Sequence, residues 1–167
     1  MNKSNNPLRL NVGHMYNKAI GSSHEVPVDM DKIVIEDLNI QSLRSVIRLS
    51  RTREGILLQV KAEAEVLTAC VRCLEEFYLP IETEFEELYQ FASRHREETD
   101  LILPNDGYLD LGPVYREYFI LSMPIKRLCD SNCKGLCVVC GANLNTTICS
   151  HQSEEETETI TFEQKAH

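Results

Sequence analysis

The clearest periodicity in the chain lies in residues 56–66. Ile56, Leu58, Val60, Ala62, Ala64 and Val66 share one parity, and Gln59, Lys61, Glu63 and Glu65 share the other. A period of two with one apolar and one polar set predicts a strand that buries one face and wets the other. The preceding run LRSVIRLS (43–50) and the polar turn RTREG (51–55) complete a hairpin with it. A third strand, FYLPIETEFEELYQF (77–91), carries Leu79, Ile81 and Phe85 on one parity and Glu82, Glu84 and Glu86 on the other. Nearer the N-terminus, Leu8, Leu10 and Val12 alternate with polar neighbours, and 25–28 and 32–35 read as short extended segments.

The period changes in YLDLGPVYREYFILSMP (108–124). Val114, Tyr118 and Leu121 fall on one helical face, with Tyr115 and Phe119 beside them at a spacing of four. Pro113 suits a first helical position and Pro124 stops the element, which predicts an amphipathic helix over 113–122 packed on the sheet. The fold class expected is therefore α+β: a mainly antiparallel β-sheet, barrel- or sandwich-like, with one main helix and a C-terminal Cys-rich segment. Residues 8–125 are expected to form the β-rich domain and 126–151 the metal-binding segment. SRHREETD (93–100) is a polar connector, and 152–167 an acidic tail without fixed structure.

Charge refines this picture. The 167 residues carry a net charge of −9. Residues 1–72 hold ten Lys/Arg against eight Asp/Glu, while residues 73–167 hold seven against eighteen. Global attraction to a phosphate backbone is not expected, but local patches are. Arg44, Arg48, Arg51 and Arg53 crowd the first hairpin, and Lys126, Arg127 and Lys134 flank the cysteine-rich segment. Either group could hold phosphates; the competing reading is a solvated strand face. The opening MNKSNNPLRL lacks the apolar stretch of a secretory leader, and no apolar run reaches the roughly 18 residues of a membrane span. A soluble, cytoplasmic protein with reduced thiols is expected.

Five of the seven cysteines, and His151, lie in CDSNCKGLCVVCGANLNTTICSH (129–151). An odd cysteine count in a reducing compartment argues against disulfide staples. Cys137-Val-Val-Cys140-Gly141 places two thiolates on one tight turn, which Gly141 lets close. A structural zinc ion takes four such ligands in a tetrahedron. Cys129 and Cys133 are the nearest partners of Cys137 and Cys140, with Cys149 or His151 as possible replacements. One structural zinc ion is expected here. Cys133-x3-Cys137-x2-Cys140 also has the spacing of a radical-enzyme iron–sulfur site, but such enzymes need a barrel larger than this chain provides. Cys70-Val-Arg-Cys73 could supply half of a zinc site with the later cysteines, or be a local packing pair. A cysteine-based redox enzyme or a metal-dependent enzyme is the alternative. Against it, no histidine sits in a catalytic motif, and neither a phosphate-binding glycine loop nor HExxH occurs. No small-molecule substrate is evident.

Three motifs carry a resemblance. They are Cys70-Val-Arg-Cys73-Leu-Glu-Glu-Phe77, then Asp110-Leu-Gly-Pro-Val-Tyr-Arg-Glu117 through Leu121-Ser-Met-Pro124, then Leu128-Cys129 and Cys133-Lys-Gly-Leu-Cys137-Val-Val-Cys140-Gly-Ala-Asn-Leu-Asn145 with Cys149. In this order the chain closely resembles the YceD family of bacteria and chloroplasts, the large ribosomal RNA subunit accumulation proteins. The resemblance runs from about residue 8 to 151. It implies a non-enzymatic factor for accumulation or processing of large-subunit ribosomal RNA, and so for ribosome assembly. The partner would be the rRNA precursor or a basic ribosomal protein. Where the family ends in Cys-x-Cys, this chain has Cys149-Ser-His151, and histidine can replace cysteine on zinc.

Overall fold

The computed structural model describes residues 8–93 and 101–151. The expected connector (93–100) lies almost wholly outside the described residues, and the expected tail (152–167) entirely so. The described residues divide into two units, one built from 8–68 and 78–125, the other from 69–77 and 126–151. The Cys70 segment therefore belongs with the C-terminal cysteines and not with the sheet that surrounds it in sequence.

The first unit is an open five-stranded sheet. Its strands β2 (Ser23–Ile35), β3 (Leu38–Arg51), β4 (Gly55–Ala69), β5 (Glu76–Gln90) and β6 (Leu101–Ile102) lie in sequence order. A separate ribbon pairs β1 (Arg9–Asn11) with β7 (Tyr108–Asp110) in antiparallel register. Among the described residues β2 and β6 are the two edges of this sheet, which is not a closed barrel. The two short segments expected at 25–28 and 32–35 are one strand of 13 residues. It reads weakly in sequence because Val26, Val28, Met30 and Ile33 are only half buried.

The expected period-two face of β4 is buried along its length, from Ile56 to Val66. On β3 the inward parity changes midway: Leu38 and Ile40 are buried, then Leu43, Ile47 and Leu49. A one-residue slip would normally turn such a strand inside out. A bulge between Gln41 and Arg44, with Ser42 at φ 52°, absorbs the extra residue and keeps both sets on the core side.

The helix α1 (Gly112–Ser122) covers this face with Val114, Tyr115 and Phe119. Its sequence explains its bounds. The Asp110 carboxylate accepts the Gly112 N–H at 2.9 Å, and Pro113 needs no N–H partner in the first turn. Pro124 forces Met123 into extended backbone at the other end. Phe85 packs edge-on against Tyr115 and stacks on Tyr118 at 4.1 Å between ring centres, and Tyr118 donates to Glu87 at 2.7 Å. No helix among the described residues is long and apolar enough to cross a membrane.

One polar contact lies inside this apolar layer. Ser45, buried among the inward residues of β3, hydrogen-bonds the fully buried Tyr115 hydroxyl at 2.5 Å. Burial pushes the Tyr115 phenol up to about 12, so it stays protonated and can donate. Removing one partner strands the other in a dry site. Tyr115→Phe should therefore lower unfolding stability by about 1–3 kcal/mol in urea titrations. Adding Ser45→Ala to it should recover most of that loss, and a double variant no more stable than the single one would refute this account.

Candidate metal centres

All the thiols of the chain gather in the second unit, and all seven are free. They form two groups of four with one histidine: Cys70, Cys73, Cys129 and Cys133, and separately Cys137, Cys140, Cys149 and His151. Within each group the ligand atoms lie within 4.8 Å of one another.

The first group begins in a tight turn. The Leu74 N–H donates to the Cys70 carbonyl at 2.9 Å, and the Cys70 N–H to the Glu75 carbonyl at 2.9 Å. Leu74 stands at φ 62°, the left-handed conformation that disfavours a side chain. The other two ligands come from 129–133, where the Asp130 carboxylate accepts the Asn132 N–H at 2.7 Å. Two contacts fasten this loop to the turn. Arg72 donates from its guanidinium to the Cys133 carbonyl at 2.9 Å, and the Val71 N–H reaches the Arg127 carbonyl at 2.9 Å. Cys70, Cys73 and Cys133 are buried, with Phe77, Leu128 and Leu136 against them.

The second group repeats the turn. The Gly141 N–H donates to the Cys137 carbonyl at 2.8 Å, with Gly141 at φ 72°. Leu136 and Asn143 pair across the base of this hairpin, and the Cys137 N–H reaches the Ala142 carbonyl at 2.8 Å. Gly135 lets the hairpin approach the first turn. A Cβ there would lie 3.1 Å from the Arg72 carbonyl oxygen, and the next N–H, of Leu136, bonds that same oxygen.

Two asparagines tie the groups together. Asn145 donates to the Cys133 sulfur at 3.3 Å and to the Asn143 side chain at 2.9 Å, while its oxygen accepts the Lys134 N–H at 2.7 Å. Asn143 in turn donates to Glu75 at 2.7 Å. The Asn-Leu-Asn of the third motif thus links the second hairpin to a sulfur of the first group.

The spacings fit a tetrahedral metal. Zinc–sulfur bonds of about 2.3 Å place neighbouring sulfurs about 3.8 Å apart. In the first group Cys70–Cys133 is 3.8 Å and Cys73–Cys129 is 3.6 Å. In the second, Cys140–Cys149 is 3.3 Å and Cys137–Cys149 is 3.6 Å. His151 turns Nδ1 inward, 3.1 Å from Cys149 and 4.0 Å from Cys137, on either side of the roughly 3.6 Å of a sulfur–nitrogen edge. A disulfide would need about 2.05 Å. Either group could hold a metal ion.

The electrostatics agree. Burial alone would push the Cys70 thiol up, but the N–H groups of Cys73, Cys129 and Arg72 outweigh it and hold it at about 6. N–H groups of Cys140 and Val139 bring Cys137 down to about 6. The neighbouring Cys73 thiol, with burial, pushes Cys129 up to about 12. In each group one thiol, Cys70 or Cys137, is thus held below the ordinary cysteine value. In the metal-free chain, the stability these two thiolates supply is full above the ordinary value of 9.0 and lost as pH falls through about 6.

The residues predicted from sequence do not share one centre. Cys129 and Cys133 meet Cys70 and Cys73; Cys137 and Cys140 meet Cys149 and His151. Arg72, Asn143 and Asn145 were not foreseen as supporting residues. A signal for the first centre did exist, since Cys70-x2-Cys73-Leu74 has the layout of Cys137-x2-Cys140-Gly141, with leucine in the glycine position. Of the predicted cations, Lys126 and Lys134 are exposed and Arg127 is half buried. Arg44 and Arg48 are exposed on β3 but face acids across the sheet, Arg44 opposite Asp29 and Glu63 and Arg48 opposite Glu25. Arg53 is exposed, whereas Arg51 donates to the carbonyls of Tyr16, Thr52 and Gly55 and covers the Phe91 ring. Arg51 thus holds the hairpin end in place.

Two outcomes follow for metal retention. Asn145→Ala removes the N–H from the Cys133 sulfur and should weaken metal binding about 10-fold in chelator competition. Leu74→Gly relieves a left-handed side chain worth about 1 kcal/mol, and should tighten binding about fivefold in the same assay. An unchanged affinity in either variant would contradict the role assigned to that residue.

The family model described as "Large ribosomal RNA subunit accumulation protein YceD" matches residues 58–164. The chain is 45% identical over 42 residues to the chloroplastic large ribosomal RNA subunit accumulation protein YCED homolog 1 of Zea mays, covering 25% of this chain and 14% of that protein. The homolog 1 of Arabidopsis thaliana is 42% identical over 53 residues, 32% of this chain and 16% of that one. An uncharacterised protein of Mycobacterium leprae is 26% identical over 102 residues, 59% of this chain and 47% of that protein. The matches thus span less than half the length of each of these relatives. No solved structure matches the chain. The matched region of the family model covers more than half of the chain and takes in every cysteine of both tetrads; the chain belongs to the YceD family of large ribosomal RNA subunit accumulation proteins.

Proposed function

We propose that this protein is a non-enzymatic factor for accumulation and processing of large-subunit ribosomal RNA, acting by binding during ribosome assembly in the bacterial cytoplasm. The observation that carries the reading is the family match across both thiol tetrads. The relatives' printed names refer to large ribosomal RNA subunit accumulation. The tetrads also weigh against cysteine catalysis. Every thiol has a place in one of them, and a four-ligand centre keeps no open position for a substrate.

The metal is zinc in this reading, and its task is structural. The cations Lys126, Arg127 and Lys134 of the second unit are the candidate phosphate contacts. The hairpin cations Arg44, Arg48 and Arg53 are the weaker candidates, because the exposed face of the sheet also carries Glu25, Asp29, Glu63, Glu82, Glu84 and Glu86. Lys61 on that face is already paired with Glu84 at 3.0 Å. That excess of carboxylates favours a second reading, in which the sheet receives a basic ribosomal protein before it is placed on the RNA.

Sedimentation of tagged protein from growing cells tests the proposal. Co-migration with particles that contain the rRNA precursor, and absence from mature ribosomes, is the expected result. Persistence in the light fractions at both low and moderate salt would overturn it. In purified complexes, Lys126→Gln with Lys134→Gln should weaken an RNA contact and flatten its salt dependence. If binding instead fails with Glu82→Gln, Glu84→Gln and Glu86→Gln, the partner is the basic protein.

A further inference from the structure

We infer that the chain binds two zinc ions in unlike centres: a fold-holding one at Cys70, Cys73, Cys129 and Cys133, and an exchangeable one at Cys137, Cys140, Cys149 and His151. This goes beyond the assembly reading and stands apart from it. Neither the sequence, which suggested one ion, nor the family name assigns a second centre.

Chain topology separates the two centres. The first tetrad joins two segments far apart in sequence, with Cys73 and Cys129 separated by 56 positions. A metal there closes a long loop, and its loss frees both segments. The second tetrad lies within a single stretch, Cys137 to His151 being 14 positions apart. Its metal closes only a local loop.

Burial separates them as well. Three of the four sulfurs of the first centre form the apolar core of their unit, together with Phe77, Leu128 and Leu136. Only Cys129 is exposed. In the second centre both Cys140 and His151 are exposed, and among the described residues no apolar cluster includes any of its ligands. Three large apolar side chains of that stretch are exposed, Val138 at 92%, Val139 at 69% and Ile148 at 95%. A chelator can therefore reach the second ion and remove its ligands one at a time, while the first ion is released only when the surrounding core opens.

Donor chemistry points the same way. The first centre offers four sulfurs, the soft donors that select zinc, and the second three sulfurs and an imidazole. The first centre also has outer support, the Asn145 N–H on the Cys133 sulfur and the Arg72 guanidinium on the Cys133 carbonyl.

Native mass spectrometry of the full chain, purified with zinc and challenged with excess EDTA at neutral pH, reads the inference directly. Two zinc ions per chain are expected, one lost at least about 10-fold faster than the other. His151→Ala should remove the fast ion and leave the slow one. Variants at Cys70 or Cys73 could unfold the unit, so the retained centre is identified by cobalt substitution in His151→Ala. Its charge-transfer band should have the intensity of four sulfur ligands. A single zinc ion in the wild-type chain, equal release of both ions, loss of the slow ion in His151→Ala, or a retained cobalt centre with fewer than four sulfurs would each overturn the inference.

Discussion

The meeting of Cys70 and Cys73 with Cys129 and Cys133 is the constraint on which the second unit depends. Cys70, Cys73 and Cys133 are its buried core as well as candidate metal ligands, and among the described residues Phe77, Leu128 and Leu136 pack against them. So small an apolar cluster does not offset the ordering of some 35 residues. In the zinc-bound reading proposed above, the tetrad supplies what the missing hydrophobic area cannot, and the remaining features serve it. The left-handed Leu74 closes one turn, Gly135 lets the second hairpin approach, and the Asn143 and Asn145 side chains lock that hairpin to the first group.

The sheet is built on ordinary principles and needs no metal. Its face is filled by β3, β4 and β5 and covered by α1, with Leu43, Ile47, Leu58, Val60, Phe85 and Phe119 at the centre. The bulge in β3 is the device that makes this face continuous. Ser45 is the polar residue within it, and its bond to Tyr115 fixes where the helix sits over the sheet.

Much of this was legible in the chain, and the parts that were not share a cause. The period-two run of β4 and the Pro113–Pro124 frame of the helix are local signals, and both hold to within a residue or two. The partition of the cysteines is not local. Four candidate ligands close in sequence, Cys129 to Cys140, suggest one centre, but Cys129 and Cys133 group with Cys70 and Cys73, and Cys137 and Cys140 with Cys149 and His151. The strand β2 was read as two pieces because its inward residues are only half covered. Arg51 resembled its neighbours Arg48 and Arg53 by type alone; three backbone carbonyls and the ring of Phe91 distinguish it.

The path of the chain adds a temporal dimension. It leaves the sheet through β4, forms the Cys70–Leu74 turn and returns through β5, well before Cys129 is made. At the usual pace of synthesis, about 5–20 residues per second, the 56 intervening positions take roughly 3–11 s. For that interval the nascent chain carries an open dithiol while the sheet is gaining its strands. The ligands of the first tetrad are thus complete only late in synthesis, and in the zinc-bound reading proposed above the step that completes the second unit is the arrival of a cation and not the burial of a side chain.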